Sequence, residues 1–130
     1  MTAKTTLRLG GLFLMLAVIL GAFAAHGLES KITADQIDTF ETGVRYQFYH
    51  AFALLVIGIL LRLNYPTALR WVVWMFAIGI LLFSGSIYLL ACRDFLGIAD
   101  WWWLGPITPV GGTFFIVGWG IFLVVVGRKI

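Results

Sequence analysis

The chain has 130 residues, of which 62% are hydrophobic and only 12% charged, with a formal net charge of +3. A water-facing fold ordinarily has about a quarter of its residues charged, so a soluble domain is excluded and a single membrane domain is expected. One cysteine, Cys92, excludes an internal disulfide, and the basic residues form no run or helix face suited to nucleic acid.

The first apolar run, LGGLFLMLAVILGAFAA, predicts a span over about residues 9–25. Lys4 and Arg8 precede it, and AFA (22–24) resembles a small-residue cleavage site. About 17 apolar residues nevertheless exceed the usual 7–15 of a signal peptide, so a retained helix is expected. TADQ (33–36) then fits a capping box, with Thr33 as N-cap and Gln36 reaching back. Ile37, Phe40 and Val44 follow at helical spacing, which predicts a short amphipathic helix on the membrane surface.

The second span is predicted over 43–63, the third over 70–92 and the fourth over 109–127. Trp101, Trp102 and Trp103 read as an interfacial aromatic anchor before the last of these. Thr108 and Pro109 suit its N-cap and first helical position. Continuous apolar runs, without strict alternation, exclude a barrel. The expected fold is therefore all-α: an integral membrane four-helix bundle with a short interfacial helix between its first two spans.

Four spans put both termini on one side of the bilayer, together with the loop between the second and third. That side holds Lys4, Arg8, Arg62, Arg70, Arg128 and Lys129 and no acid. Lys31, Arg45, Arg93 and all six acids lie on the other. The bias predicts a bacterial inner-membrane protein with cytoplasmic termini. Helices in lipid associate through small residues that permit close approach. The expected packing positions are Gly21 and Ala25 in the first helix, Gly85 in the third, and Gly111, Gly112 and Gly118 in the fourth. Gly120 and Gly127 form a second seven-residue pair.

The stretch GVRYQFYHAF (43–52) brings polar groups into a span. At about 100° per residue, Gly43, Tyr46, Gln47 and His50 share one face, while Arg45 points about 140° from His50. Arg45 follows Glu41 at ion-pair spacing and suits a rim anchor, with anion or partner binding as the alternative. His50 faces the bundle interior by default, and His26, at the outer end of the first helix, is its expected neighbour. Three roles are open to it: hydrogen-bonded glue between helices, axial haem ligation together with His26, and proton or ion passage with Tyr46. The first fits best, because the rim is shallow for haem and no acid is buried to relay protons. Ser84, Ser86 and Cys92 are the nucleophile candidates, yet no triad, phosphate loop, metal-ligand spacing or dinucleotide fingerprint accompanies them.

GAFAAHGL (21–28), TGVRYQFYHA (42–51), FSGSIYLLA (83–91), LGPITPVGG (104–112) and GW (118–119) occur in that order. This succession resembles the small four-span proteins grouped as domain of unknown function 423. The resemblance covers nearly the whole chain, with Ala24 where the family commonly has glycine. It implies a four-helix inner-membrane protein and assigns no activity, substrate or cofactor. The candidate polar or ligand-binding residues are thus His26, Arg45, Tyr46, Gln47, His50, Ser84 and Ser86, without assigned roles. No catalysis, cofactor or metal is expected. The expected partners are the lipid bilayer and either a larger membrane complex or further copies of the chain, with a structural, accessory or assembly role. The alternatives are a small transporter or channel using the Tyr/Gln/His face, and a redox or lipid-modifying enzyme.

Overall fold

The computed structural model describes residues 1–129, and every element in it is helical. Four helices are long and apolar enough to cross a membrane: α1 (Ala3–Gly27), α2 (Ala34–Arg62), α3 (Leu69–Ala91) and α4 (Leu104–Lys129). A one-turn helix, Arg93–Leu96, follows α3 and ends at Gly97 in the left-handed region, φ 70°. The expected four-helix membrane architecture is present. α1, α2 and α4 outrun their expected spans, because the polar flanks continue the backbone pattern, whereas α3 keeps the expected length. The 29 residues of α2 extend about 43 Å at 1.5 Å per residue, more than the roughly 30 Å of hydrocarbon.

The capping box forms as read: Thr33 Oγ1 accepts from the Gln36 amide at 3.2 Å, and Gln36 Oε1 accepts from the Thr33 amide at 2.9 Å. The amphipathic segment it opens is not a separate helix, however. It runs without a break into the span as the first turns of α2. Nothing there stops a helix, and the Thr39 and Thr42 hydroxyls bond back to the carbonyls of Asp35 and Asp38. Gln36 also donates to Asp94 at 2.9 Å, tying the start of α2 to the turn after α3. The start of α4 differs too. It lies at Leu104, ahead of the expected Thr108 cap, and Pro109 sits inside the helix. Pro106 is tolerated in the first turn, where its missing N–H has no intrahelical acceptor.

α1 packs chiefly on α2 and α4 chiefly on α3, leaving α2 and α3 in the middle. Leu54, Ile57, Val72, Val73 and Phe76 are fully or almost fully buried between them. Met15, Val18 and Ile19 of α1 and Ile116, Leu123 and Val124 of α4 point outward, as lipid-facing residues must in a bundle whose surroundings are apolar. Both termini lie with the α2–α3 loop: Lys129 Nζ sits 5.7 Å from the Tyr65 ring, and Met1 shares a cavity with Thr67 and Arg70.

Small residues set the closest approaches. A Cβ on Gly111 would collide with the backbone of Phe83, and one on Gly118 would lie 2.6 Å from the Phe76 ring. Gly21 and Gly112 have only ordinary contacts, 3.5 Å to Val44 and 3.7 Å to Phe83, and Ala25 is exposed. Gly85, Gly120 and Gly127 face open space, because their sides of α3 and α4 carry no neighbour within the chain. The tight glycines that the reading passed over for packing are Gly10 and Gly58 between α1 and α2, Gly43 against Tyr88, and Gly79 against Phe115.

Candidate functional site

Gln47 and His50 are 3% and 4% exposed, so each needs hydrogen-bond partners inside the bundle. They find them on different neighbouring helices. Gln47 Nε2 donates to the Phe13 carbonyl of α1 at 2.8 Å, and its Oε1 accepts from the Tyr88 hydroxyl of α3 at 2.6 Å. One amide thus joins three helices.

His50 turns toward α4. Its Nε2 lies 3.0 Å from Trp119 Nε1 and its Nδ1 2.8 Å from the Tyr46 carbonyl. An indole nitrogen only donates, so Nε2 accepts. The proton therefore sits on Nδ1 and is donated to Tyr46. The ring stacks on Phe115 with centroids 3.5 Å apart at 8° and meets Phe76 edge-on at 5.0 Å.

The expected meeting of His26 and His50 does not occur. His26 is exposed in the wide π turn Phe23–Gly27 that ends α1, whereas His50 stands about 24 Å along α2 from Ala34 and faces the other way. Both nitrogens of His50 are engaged, so neither is free as an axial ligand in this arrangement. The shared Tyr46–Gln47–His50 face likewise divides. Gln47 belongs to the α1–α3 side and His50 to the α4 side, while Tyr46 is 39% exposed beside Phe83. Tyr46, His50, Phe83, Phe115, Ile116 and Trp119 border an open groove of about 360 Å³, walled almost wholly by rings and aliphatic groups.

Arg45 is exposed at the loop end, as a rim anchor should be, but its hydrogen bond goes to Thr42 Oγ1 at 3.0 Å. Among the described residues Glu41 makes no hydrogen bond to it. Ser84 is fully buried, and its hydroxyl donates to the Gly43 carbonyl at 2.7 Å, closing α3 onto α2. Ser86 bonds the Phe83 carbonyl and pairs with Thr108, closing α3 onto α4. Ser84 ends the π turn Ile80–Ser84, next to the point where Gly111 meets the Phe83 backbone. Among the described residues, no buried side-chain nitrogen or oxygen lacks a partner.

The reading gave no role to Tyr88 or Trp119, and it gave Thr108 a capping role in place of its bond to Ser86. Trp119 carried a usable signal, since an indole N–H within an apolar span requires an acceptor. Thr108 is read as a cap only if α4 starts beside it. Tyr88 shows its partner only once α2 and α3 are docked.

A family model described as Protein of unknown function (DUF423) matches residues 20–112. A UPF0382 membrane protein of Staphylococcus saprophyticus is 44% identical over 116 residues, spanning 89% of this chain and 91% of its own. The UPF0382 membrane protein YwdK of Bacillus subtilis is 42% identical over 127 residues, spanning 97% and 98%. A UPF0382 membrane protein of Haemophilus influenzae is 42% identical over 116 residues, spanning 88% and 85%. No solved structure matches significantly. The chain belongs to the DUF423 family of membrane proteins.

Proposed function

We propose that this member of the DUF423 family is a non-enzymatic element of the bacterial inner membrane that acts by binding, as a structural, accessory or assembly partner of a larger membrane complex. One observation carries the reading: the polar side chains within the spans are engaged in holding the helices to one another. Gln47, His50, Ser84 and Ser86 all have partners on a neighbouring helix. Among the described residues no serine or histidine side chain is hydrogen-bonded to a base or nucleophile in the pairing that covalent catalysis requires. The outward surfaces of α1 and α4 then carry the interactions with lipid or protein. Six basic residues and no acid at the termini end support cytoplasmic termini.

Purification from native membranes in a mild detergent tests this reading. A protein partner recovered in fixed stoichiometry is expected, and a solitary particle under all mild conditions would contradict it. Transport is the alternative. Its polar face is split between two interfaces and does not line one path, and a liposome flux assay of wild type against His50→Ala decides it. Equal leak through both retires transport, whereas a His50-dependent flux displaces the structural reading.

A further inference from the structure

The termini end carries a second feature that the helix clasp does not use. Arg70, Trp71 and Trp74 share one face at the start of α3, and Thr67 stands beside them in the turn that leads into it. Leu69, Val72, Val73 and Phe76, on the other faces, are fully buried. The first face is left open: Trp71 is 65% and Trp74 47% exposed, and with Met1 the four residues line a cavity of about 280 Å³.

Two of the other arginines are engaged within the chain, whereas Arg8, Arg62 and Arg128, like Arg70, make no side-chain hydrogen bond among the described residues, and of these four Arg70 is the one that lines the cavity. Arg45 bonds Thr42, and Arg93 bonds the Leu90 carbonyl at 3.0 Å. Among the described residues nothing accepts from the Arg70 guanidinium, and no acid lies at this end of the chain. The planar fork of arginine matches a phosphate in a way that a carboxylate-free surface leaves unsatisfied. Trp74 stands one turn, about 6 Å, deeper than Arg70. A ligand seated here meets charge and hydroxyl at the water side and indole rings on the hydrocarbon side. That gradient is the one a membrane phospholipid carries, and tryptophan at this depth suits the boundary of headgroup and chain.

We propose that this cavity seats the phosphate headgroup of an anionic phospholipid of the surrounding leaflet, held by Arg70 and Thr67 with its acyl chains along Trp71 and Trp74. Basic pockets between spanning helices on the positive side of a membrane protein recognise lipid headgroups by this chemistry. The assignment does not depend on whether the protein joins a larger complex, so it is tested separately from that reading.

The test equilibrates the full chain in mild detergent with equimolar phosphatidylglycerol and phosphatidylcholine and counts retained lipid by native mass spectrometry. Wild type is expected to retain phosphatidylglycerol about tenfold more than phosphatidylcholine, as one charge-assisted contact allows. Arg70→Gln is expected to abolish that preference and Arg70→Lys to keep part of it. Arg128→Gln removes the same charge outside the cavity and is expected to leave the preference intact. Circular dichroism confirms that each variant remains helical. Equal retention of both lipids by wild type overturns the proposal, as does an unchanged preference in Arg70→Gln. An equal loss in Arg128→Gln overturns it in favour of a diffuse basic field. Displacement of the lipid by millimolar inorganic phosphate overturns it in favour of a site for the free anion.

Discussion

The indole N–H of Trp119 donates to Nε2 of His50 across 3.0 Å, joining α4 to α2 near mid-span. In hydrocarbon neither group has water to fall back on, so each satisfies the other. Interhelical hydrogen bonds of this kind contribute about 1 kcal/mol, and stacking of the imidazole on Phe115 adds an aromatic pair of about 0.5–1.5 kcal/mol. Trp119→Phe should therefore destabilise the bundle by about 1 kcal/mol. His50→Ala should cost about 2–3 kcal/mol, through the lost contacts and the space left behind. Reversible unfolding in mixed micelles measures both, and the double variant should cost less than the two singles together.

The Gln47 amide gives a second prediction. Gln47→Leu removes the link between α1, α2 and α3 and leaves the Tyr88 hydroxyl without its acceptor. A loss of about 2 kcal/mol is expected, because a buried orphan costs more than a hydrogen bond adds. Tyr88→Phe placed on top of Gln47→Leu should restore part of it. The same unfolding assay reads the recovery, and a double variant weaker than Gln47→Leu alone would contradict the pairing.

Glycines that look alike in the sequence should behave oppositely. Gly111→Ala forces α4 away from the Phe83 backbone and should cost about 1–3 kcal/mol, as overpacking does. Gly120 faces open space, so Gly120→Ala should be neutral or stabilising by up to about 1 kcal/mol through helix propensity. Melting curves of the two variants in one detergent separate the cases.

What the sequence made legible was local. Thr33 and Gln36 lie three residues apart, so their reciprocal cap needs no tertiary information. The four spans follow from run length, and the resemblance that places the chain in its family rests on contiguous motifs. What stayed hidden was which helix stands on which side of α2. Gln47 and His50 are separated by about 60° on the helix, which reads as one face but spans the boundary between the α1 and α4 contacts. Pairing His50 with His26 assumed that the preceding helix covers that boundary. Trp119, 69 positions away, covers it instead. Gly111 and Gly120 could not be ranked for the same reason, since periodicity finds a stripe and only docking decides whether a neighbour fills it.

The charge bias makes orientation testable without an activity. In a Cys92→Ser background, Ser30→Cys lies in the exposed α1–α2 connection and Asn64→Cys in the exposed α2–α3 loop. A membrane-impermeant maleimide added outside intact cells should label the first and reach the second only after permeabilisation. The reverse pattern would contradict cytoplasmic termini.

The most direct measurement of the helix clasp is solid-state ¹⁵N NMR of histidine-labelled protein in bilayers. One imidazole should be held as the Nδ1–H tautomer with Nε2 accepting a hydrogen bond, and its Nε2 resonance should move in Trp119→Phe and stay fixed in His26→Ala. An Nε2–H tautomer at position 50, or a resonance that responds to His26→Ala and ignores Trp119→Phe, would contradict it.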